Sequence, residues 1–351
     1  MNVWRWIGFF FFLAAVTCFV GARLPVHAGG KDKDKEAKDK DKKDDKDKKD
    51  EKKQEKKQEP KGGAADLKFK AFDSKEEFFQ EVQTKTTQFM KVMGQEVKQE
   101  QDQTFYIKWT PKEKKDKDYV VEQQVIGVKM KIDIGGNKIE FDSTLPEGKQ
   151  PKNPMTDFFN ALMKQKLIFT ITPDMKIEKI EGREDFIKNL SETNPAIKTL
   201  LDTIMSKDAL TKMAEPTWWA VPNKEVKQGE TWDKTSDLDL GPIGKYETKF
   251  KFTYDGQADK LDKIKIDAKL EYTKPKDKTG LPFTIKDAKL ESKSGSGEAL
   301  FDREKGRIES SKLTMKLEGN LTIEVGNMAT EIALNQDQTS TTKTYSKSPL
   351  K

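Results

Sequence analysis

The chain has 351 residues, 66 basic against 60 acidic for a formal charge of +6, with one cysteine and one histidine. Both rare residues, Cys18 and His27, lie in the first 28 positions. The remainder therefore has no disulfides, no zinc sites of the usual His/Cys kind, and no Ser-His-Asp or Cys-His nucleophilic arrangement. The positive excess is local: residues 29–63 hold 15 lysines against 12 acids, whereas 64–351 balance 49 basic residues against 48 acidic ones. That balance argues against a nucleic-acid module, which concentrates positive charge on its folded part.

Met1–Trp6 carries Arg5, and Ile7–Val20 is an apolar run containing Phe9, Phe10, Phe11 and Phe12. The run is shorter than the roughly 20 residues a bilayer span requires. Val26-His27-Ala28 then fits the small-residue pattern that a signal peptidase reads. Residues 1–28 are expected to be a signal peptide cleaved after Ala28, leaving a secreted or periplasmic chain without a membrane span. Lipidation at Cys18 fits less well, because the residues after it stay apolar. Residues 29–65 read as a disordered Lys/Asp/Glu-rich tether: from Lys31 to Glu59 only Ala37 is apolar, too little burial to offset the entropy of ordering. Pro60-Lys-Gly-Gly-Ala-Ala65 closes it, and residues 66–351 read as a single β-rich domain.

From Leu67 onward the pattern has period two. Met130, Ile132 and Ile134 alternate with Lys129, Lys131 and Asp133; Phe250, Phe252 and Tyr254 alternate with Lys249, Lys251 and Thr253. Ile264, Ile266, Ala268, Leu270 and Tyr272 form a third set, and Leu313, Met315 and Leu317 a fourth. Such strands have one buried and one wet face, as in antiparallel sheet. Turn signals stand at Met93-Gly94, Gly135-Gly136-Asn137, Glu304-Lys305-Gly306, Gly319-Asn320 and Gly326-Asn327. Met93–Thr104 resembles Val325–Thr339, and both read as a hairpin turn leading into a strand with its polar residues outward. The echo is either chance or a duplication that brings N- and C-terminal strands together.

The stretch of about 153–215 differs. Asn153-Pro154 starts a helix carrying Phe158, Phe159 and Leu162, and Asn194-Pro195 starts another carrying Leu200, Leu201 and Ile204. A short helix is expected over Arg183–Leu190, and a hairpin over Lys166–Thr172 and Lys176–Glu181. Pro216-Thr-Trp-Trp-Ala-Val-Pro222 ends the segment. The fold class expected is α+β: a large curved antiparallel β-sheet or partly open barrel with one central helical block.

Phe169–Gly182, Gly229-Glu-Thr-Trp232, Leu240–Tyr246 and Phe301–Ile308 carry a resemblance across residues 66–351 to an uncharacterised family of secreted, planctomycete-type bacterial proteins. That resemblance implies a fold and brings no activity, cofactor or site residues with it.

No glycine-rich phosphate loop or EF-hand loop is present. Asp237 and Asp239 share one strand face, as a calcium-binding pair or as ordinary wet-face carboxylates. A two-carboxylate hydrolase survives the composition, though nothing singles out its pair. The residues suited to lining an apolar ligand site are Phe158, Phe159, Leu162, Leu200, Leu201, Ile204, Trp218 and Trp219; packed as a solid core, they would bind nothing. The chain is expected to be a non-catalytic cell-envelope or interaction module without cofactor, with a lipid or envelope component as its possible partner. A half-barrel carrier of an apolar ligand is the alternative.

Overall fold

The computed structural model describes residues 63–92, 94–146, 148–150, 154–193, 201–202, 205–240, 244–275, 283–325 and 328–350. The expected signal peptide, nearly all of the tether, the turns at Met93 and Gly326-Asn327, and the helix start at Asn194-Pro195 lie outside them.

Twelve strands form one antiparallel sheet: β2 (Phe78–Val92), β3 (Gln95–Lys115), β4 (Asp118–Ile134), β5 (Asn137–Asp142), β6 (Lys166–Ile171), β7 (Ile177–Glu181), β9 (Thr231–Asp239), β10 (Lys245–Ala258), β11 (Leu261–Thr273), β12 (Phe283–Asp302), β13 (Arg307–Val325) and β14 (Met328–Tyr345). Their order is β7-β6-β4-β3-β2-β14-β13-β12-β11-β10-β9, with β5 beside the second half of β4. A separate ribbon pairs β1 (Ala65–Leu67) with β8 (Lys224–Val226). The first and last long strands, β2 and β14, lie side by side from Phe79↔Tyr345 to Val92↔Ile332.

A straight 21-residue strand such as β3 would be about 70 Å long, and a sheet of this many long strands must curl. Bulges bend it at Tyr106/Ile107, Tyr254/Gly256, Ile285/Asp287 and Ser292/Ser294, each raising the local twist. At Leu270 the backbone N–H is taken by Ser292 Oγ at 2.8 Å. Gly297 and Gly319 permit the closest approaches: a Cβ would come within 2.1 Å of the Lys312 carbonyl and 1.8 Å of the Lys289 carbonyl, respectively. Gly319-Asn320 is therefore not the turn expected. It lies inside β13, where glycine lets two backbones touch.

The sheet is open among the described residues, with β7 and β9 as its edges. Three short helices accompany it: α1 (Pro154–Lys164), α2 (Arg183–Thr193) and α3 (Lys207–Ala214). Among the described residues one central helical block is not confirmed. The β6–β7 hairpin, itself part of the sheet, separates α1 from α2; α1 packs on β4 and on α2, and α3 packs against β9 and β7. Touching both edge strands, α3 lies over the seam where the curled sheet's two ends come together. Ser206 caps it, accepting from the Ala209 N–H at 3.1 Å, a contact that stabilises a short helix by about 1 kcal/mol.

Candidate functional site

The eight candidate lining residues do not gather round one cavity. Phe159 is fully buried, with its ring 4.8 Å from Phe141, 5.5 Å from Phe158 and 6.3 Å from Phe105. Phe158 also meets Phe186 of α2, and Leu162 is half-buried on α1. Leu201 is buried, while Leu200 and Ile204 lie outside the described residues.

The two tryptophans part company. Trp218 enters an aromatic cluster with Phe69, Phe72 and Trp109, and its indole N–H donates to the Met175 carbonyl in the β6–β7 loop at 3.1 Å. Trp219 turns the other way, edge-on to Phe250 at 4.0 Å and near Phe252, both on β10. The pair thus pins one end of the sheet with one ring and the other end with the next. Thr217 adds a hydrogen bond to Gln80 Oε1, which also accepts from Trp109 Nε1. Sequence reasoning had the aromatic pair but not its role as a clasp, which only the topology reveals.

Between these apolar regions the buried face of the sheet changes character. On β3, Gln99, Gln101 and Gln103 point inward. The residues opposite them on β2 are Gln88, Thr86 and Thr84, and those on β14 are Gln336, Gln338 and Ser340. Nine uncharged polar side chains therefore occupy three rows across three adjacent strands, a belt of about 10 by 14 Å from strand geometry. Six are buried and Gln101, Thr86 and Ser340 are half-buried. Aliphatic side chains border the belt: Met130, Ile132 and Ile134 on β4, and Leu313, Met315 and Leu317 on β13.

This corrects the expectation that the two echoed segments are polar-outward strands. In both, the glutamines go inward and the acids between them go outward. Glu100 pairs with Lys98 at 2.7 Å, Asp102 with Lys85 at 3.5 Å and Asp337 with Lys316 at 3.4 Å. The physical reason is that solvating a carboxylate is worth far more than solvating an amide, so where a strand is polar on both sides the charges take the wet face.

Within the belt Gln101 donates to Gln103 at 2.9 Å, Gln336 donates to Gln338 at 3.2 Å, and Thr84 and Ser340 share a hydrogen bond at 3.3 Å. Gln88, in the middle strand, is different. It is 1% exposed, and neither its Nε2 nor its Oε1 has a partner. Each such group, buried and unsatisfied, costs about 1–3 kcal/mol.

A second polar cluster lies by the β9 edge. The indole N–H groups of Trp219 and Trp232 are buried without an acceptor. Lys234, on the same face as Trp232 and opposite Phe250, is held below the ordinary lysine range by burial, which the Glu215 carboxylate partly offsets. Asp237 and Asp239 do share the wet face of β9, but Asp237 pairs with Lys245 at 3.1 Å. No group of three or more potential metal ligands occurs among the described residues. On the solvent face, a groove of about 640 Å³ runs past Phe89, Lys289, Glu291, Lys293 and Glu318. Lys91, Lys289 and Lys293 balance Glu96, Glu291 and Glu318 along it, so the groove offers no net charge to a ligand.

The fold is thus a curled, open antiparallel sheet with a helix over its seam and a polar belt inside. The chain belongs to a family of unknown function, DUF6263, whose sequence model matches residues 116–308. No curated protein matches it. Among solved structures, it is similar to a lipovitellin determined for its lipid–protein interactions, at 10% identity and a TM-score of 0.38, over 76% of this chain and 25% of that one. The chain thus spans about a quarter of that protein's length. It is also similar to OccK7 (OpdD) of Pseudomonas aeruginosa, at 6% identity and a TM-score of 0.20, over 77% of this chain and 99% of that one. Likenesses this loose bear on neither ligand nor partner.

Proposed function

We propose that the chain is an exported, non-catalytic module of the cell envelope that holds a ligand against the buried face of its curled sheet. Export rests on the apolar run Ile7–Val20 and the Val26-His27-Ala28 site. The observation that carries ligand holding is Gln88, a buried amide with two unused hydrogen-bonding atoms on the middle strand of the belt, in its end row beside Met90. Buried polar groups left unsatisfied in a native protein call for a partner. A ligand with an apolar tail is the second reading, favoured by Met90, Leu334, Ile332 and Leu321, whose buried side chains continue the same face beyond the belt.

The test is native mass spectrometry of the full chain recovered from an envelope extract. The expected result is a mature mass beginning at Gly29, accompanied by a bound species that is released on denaturation. A chain that stays in the cytoplasm, or one that flies bare, contradicts the proposal.

A further inference from the structure

We infer that the belt is a subsite for an uncharged, polyhydroxylated ligand, a segment of neutral glycan. The inference rests on the binding-module reading and names its ligand class. Every side chain of the belt is an amide or a hydroxyl, so each donates and accepts, as does each sugar hydroxyl. None is ionised, so the belt lacks the Arg and Lys groups that recognise phosphate or carboxylate. Three strands across and three alternate residues along cover about 10 by 14 Å, the footprint of one to two pyranose rings. An acyl chain laid there would leave Gln88 as unpartnered as it is now, so the belt disfavours lipid at this position. An extended peptide presents its backbone groups along two edges, whereas the belt is a two-dimensional patch suited to hydroxyls around a ring. The aliphatic side chains of β4 and β13 on either side match the C–H faces of such rings. Gln88, whose Nε2 and Oε1 are both free, lies on the middle strand in the end row of the belt and is the residue on which recognition should depend most.

The experiment uses the full chain on an array of neutral di- to tetrasaccharides, with sulfated and sialylated glycans, immobilised peptides and phosphatidylcholine vesicles as the other arms. Gln88→Met keeps the shape of the side chain and removes both polar atoms; Thr84→Val does the same for one hydroxyl and serves if the first variant fails to fold. The expected result is binding to neutral glycans, weakened about tenfold or more in Gln88→Met, as loss of one to two hydrogen bonds implies, with an unfolding midpoint at or above that of the unaltered chain. Binding confined to charged glycans, peptides or vesicles overturns the inference. So do silence on every arm and undiminished glycan binding by both variants. A non-glycan species in the native mass spectrum would remove this inference while leaving the binding-module reading intact; a bare chain would remove both.

Discussion

The clasp at the seam can be tested by truncating its two halves separately. Trp218 is 2% exposed and touches three aromatic rings. Burying a tryptophan removes about 200–250 Å² from water, worth about 5–6 kcal/mol at 25 cal/mol per Å² and nearer 3–5 once the unfolded chain's own burial is discounted. Loss of the hydrogen bond to the Met175 carbonyl adds about 1 kcal/mol. Trp218→Ala should therefore cost about 4–6 kcal/mol. Trp219 is only half-buried, and its truncation also removes an unpartnered N–H, so Trp219→Ala should cost about half as much. The assay is urea unfolding followed by circular dichroism, since fluorescence changes with the mutations themselves. A loss below about 1.5 kcal/mol for Trp218→Ala, or a larger loss for Trp219→Ala, would refute the clasp.

The other predictions concern the core, the buried charges and the tail. Phe159→Ala should cost about 3–5 kcal/mol in the same assay, because its ring is packed on three sides; a near-neutral change would mean it lines space instead. Asp262 is fully buried, holds Arg303 and accepts from Tyr254 Oη at 2.7 Å, so Asp262→Asn should lower stability by about 3 kcal/mol, read as a fall in denaturant midpoint. Lys234 has a folded-state pKa below its unfolded 10.5, so the unfolded chain binds the extra proton and folding gains stability as pH rises between the two values. Lys234→Met should therefore raise the melting temperature at pH 7, with the gain shrinking toward pH 10; a gain independent of pH would contradict the assignment. Deleting residues 31–59 should leave the denaturant midpoint within about 1 kcal/mol of the intact chain.

Where one face of a strand is apolar and the other charged, as in Met130-Lys-Ile-Asp-Ile134 or Ile264–Tyr272, the alternation assigned both the strand and its buried side before any coordinates. The β6–β7 hairpin and the start of α2 at Arg183 were equally legible, since turn residues and caps mark them locally. The belt was not. In Gln99-Glu-Gln-Asp-Gln-Thr104 both faces are polar, and hydropathy alone does not separate buried amides from solvated ones; the usable signal was that the acids occupy one parity and the glutamines the other. Gly319 was misplaced for a related reason, because a glycine that admits a neighbouring backbone looks like one that makes a turn. The dispersal of Phe159, Trp218 and Trp219 into separate clusters, and the contact of α3 with both sheet edges, depend on which distant strands meet. No local pattern encodes that.

The central claim is that Gln88 and its neighbours meet a ligand, and the side-chain amides report on this directly. The full chain would be labelled with ¹⁵N-glutamine, recovered from the envelope fraction, and compared by NMR with the same material unfolded, stripped and refolded, Gln88 being assigned from the Gln88→Met spectrum. The account predicts that the amide resonances of Gln88, Gln99, Gln103, Gln336 and Gln338 shift between the two preparations while glutamines elsewhere do not. Superimposable belt resonances in the two spectra would contradict it.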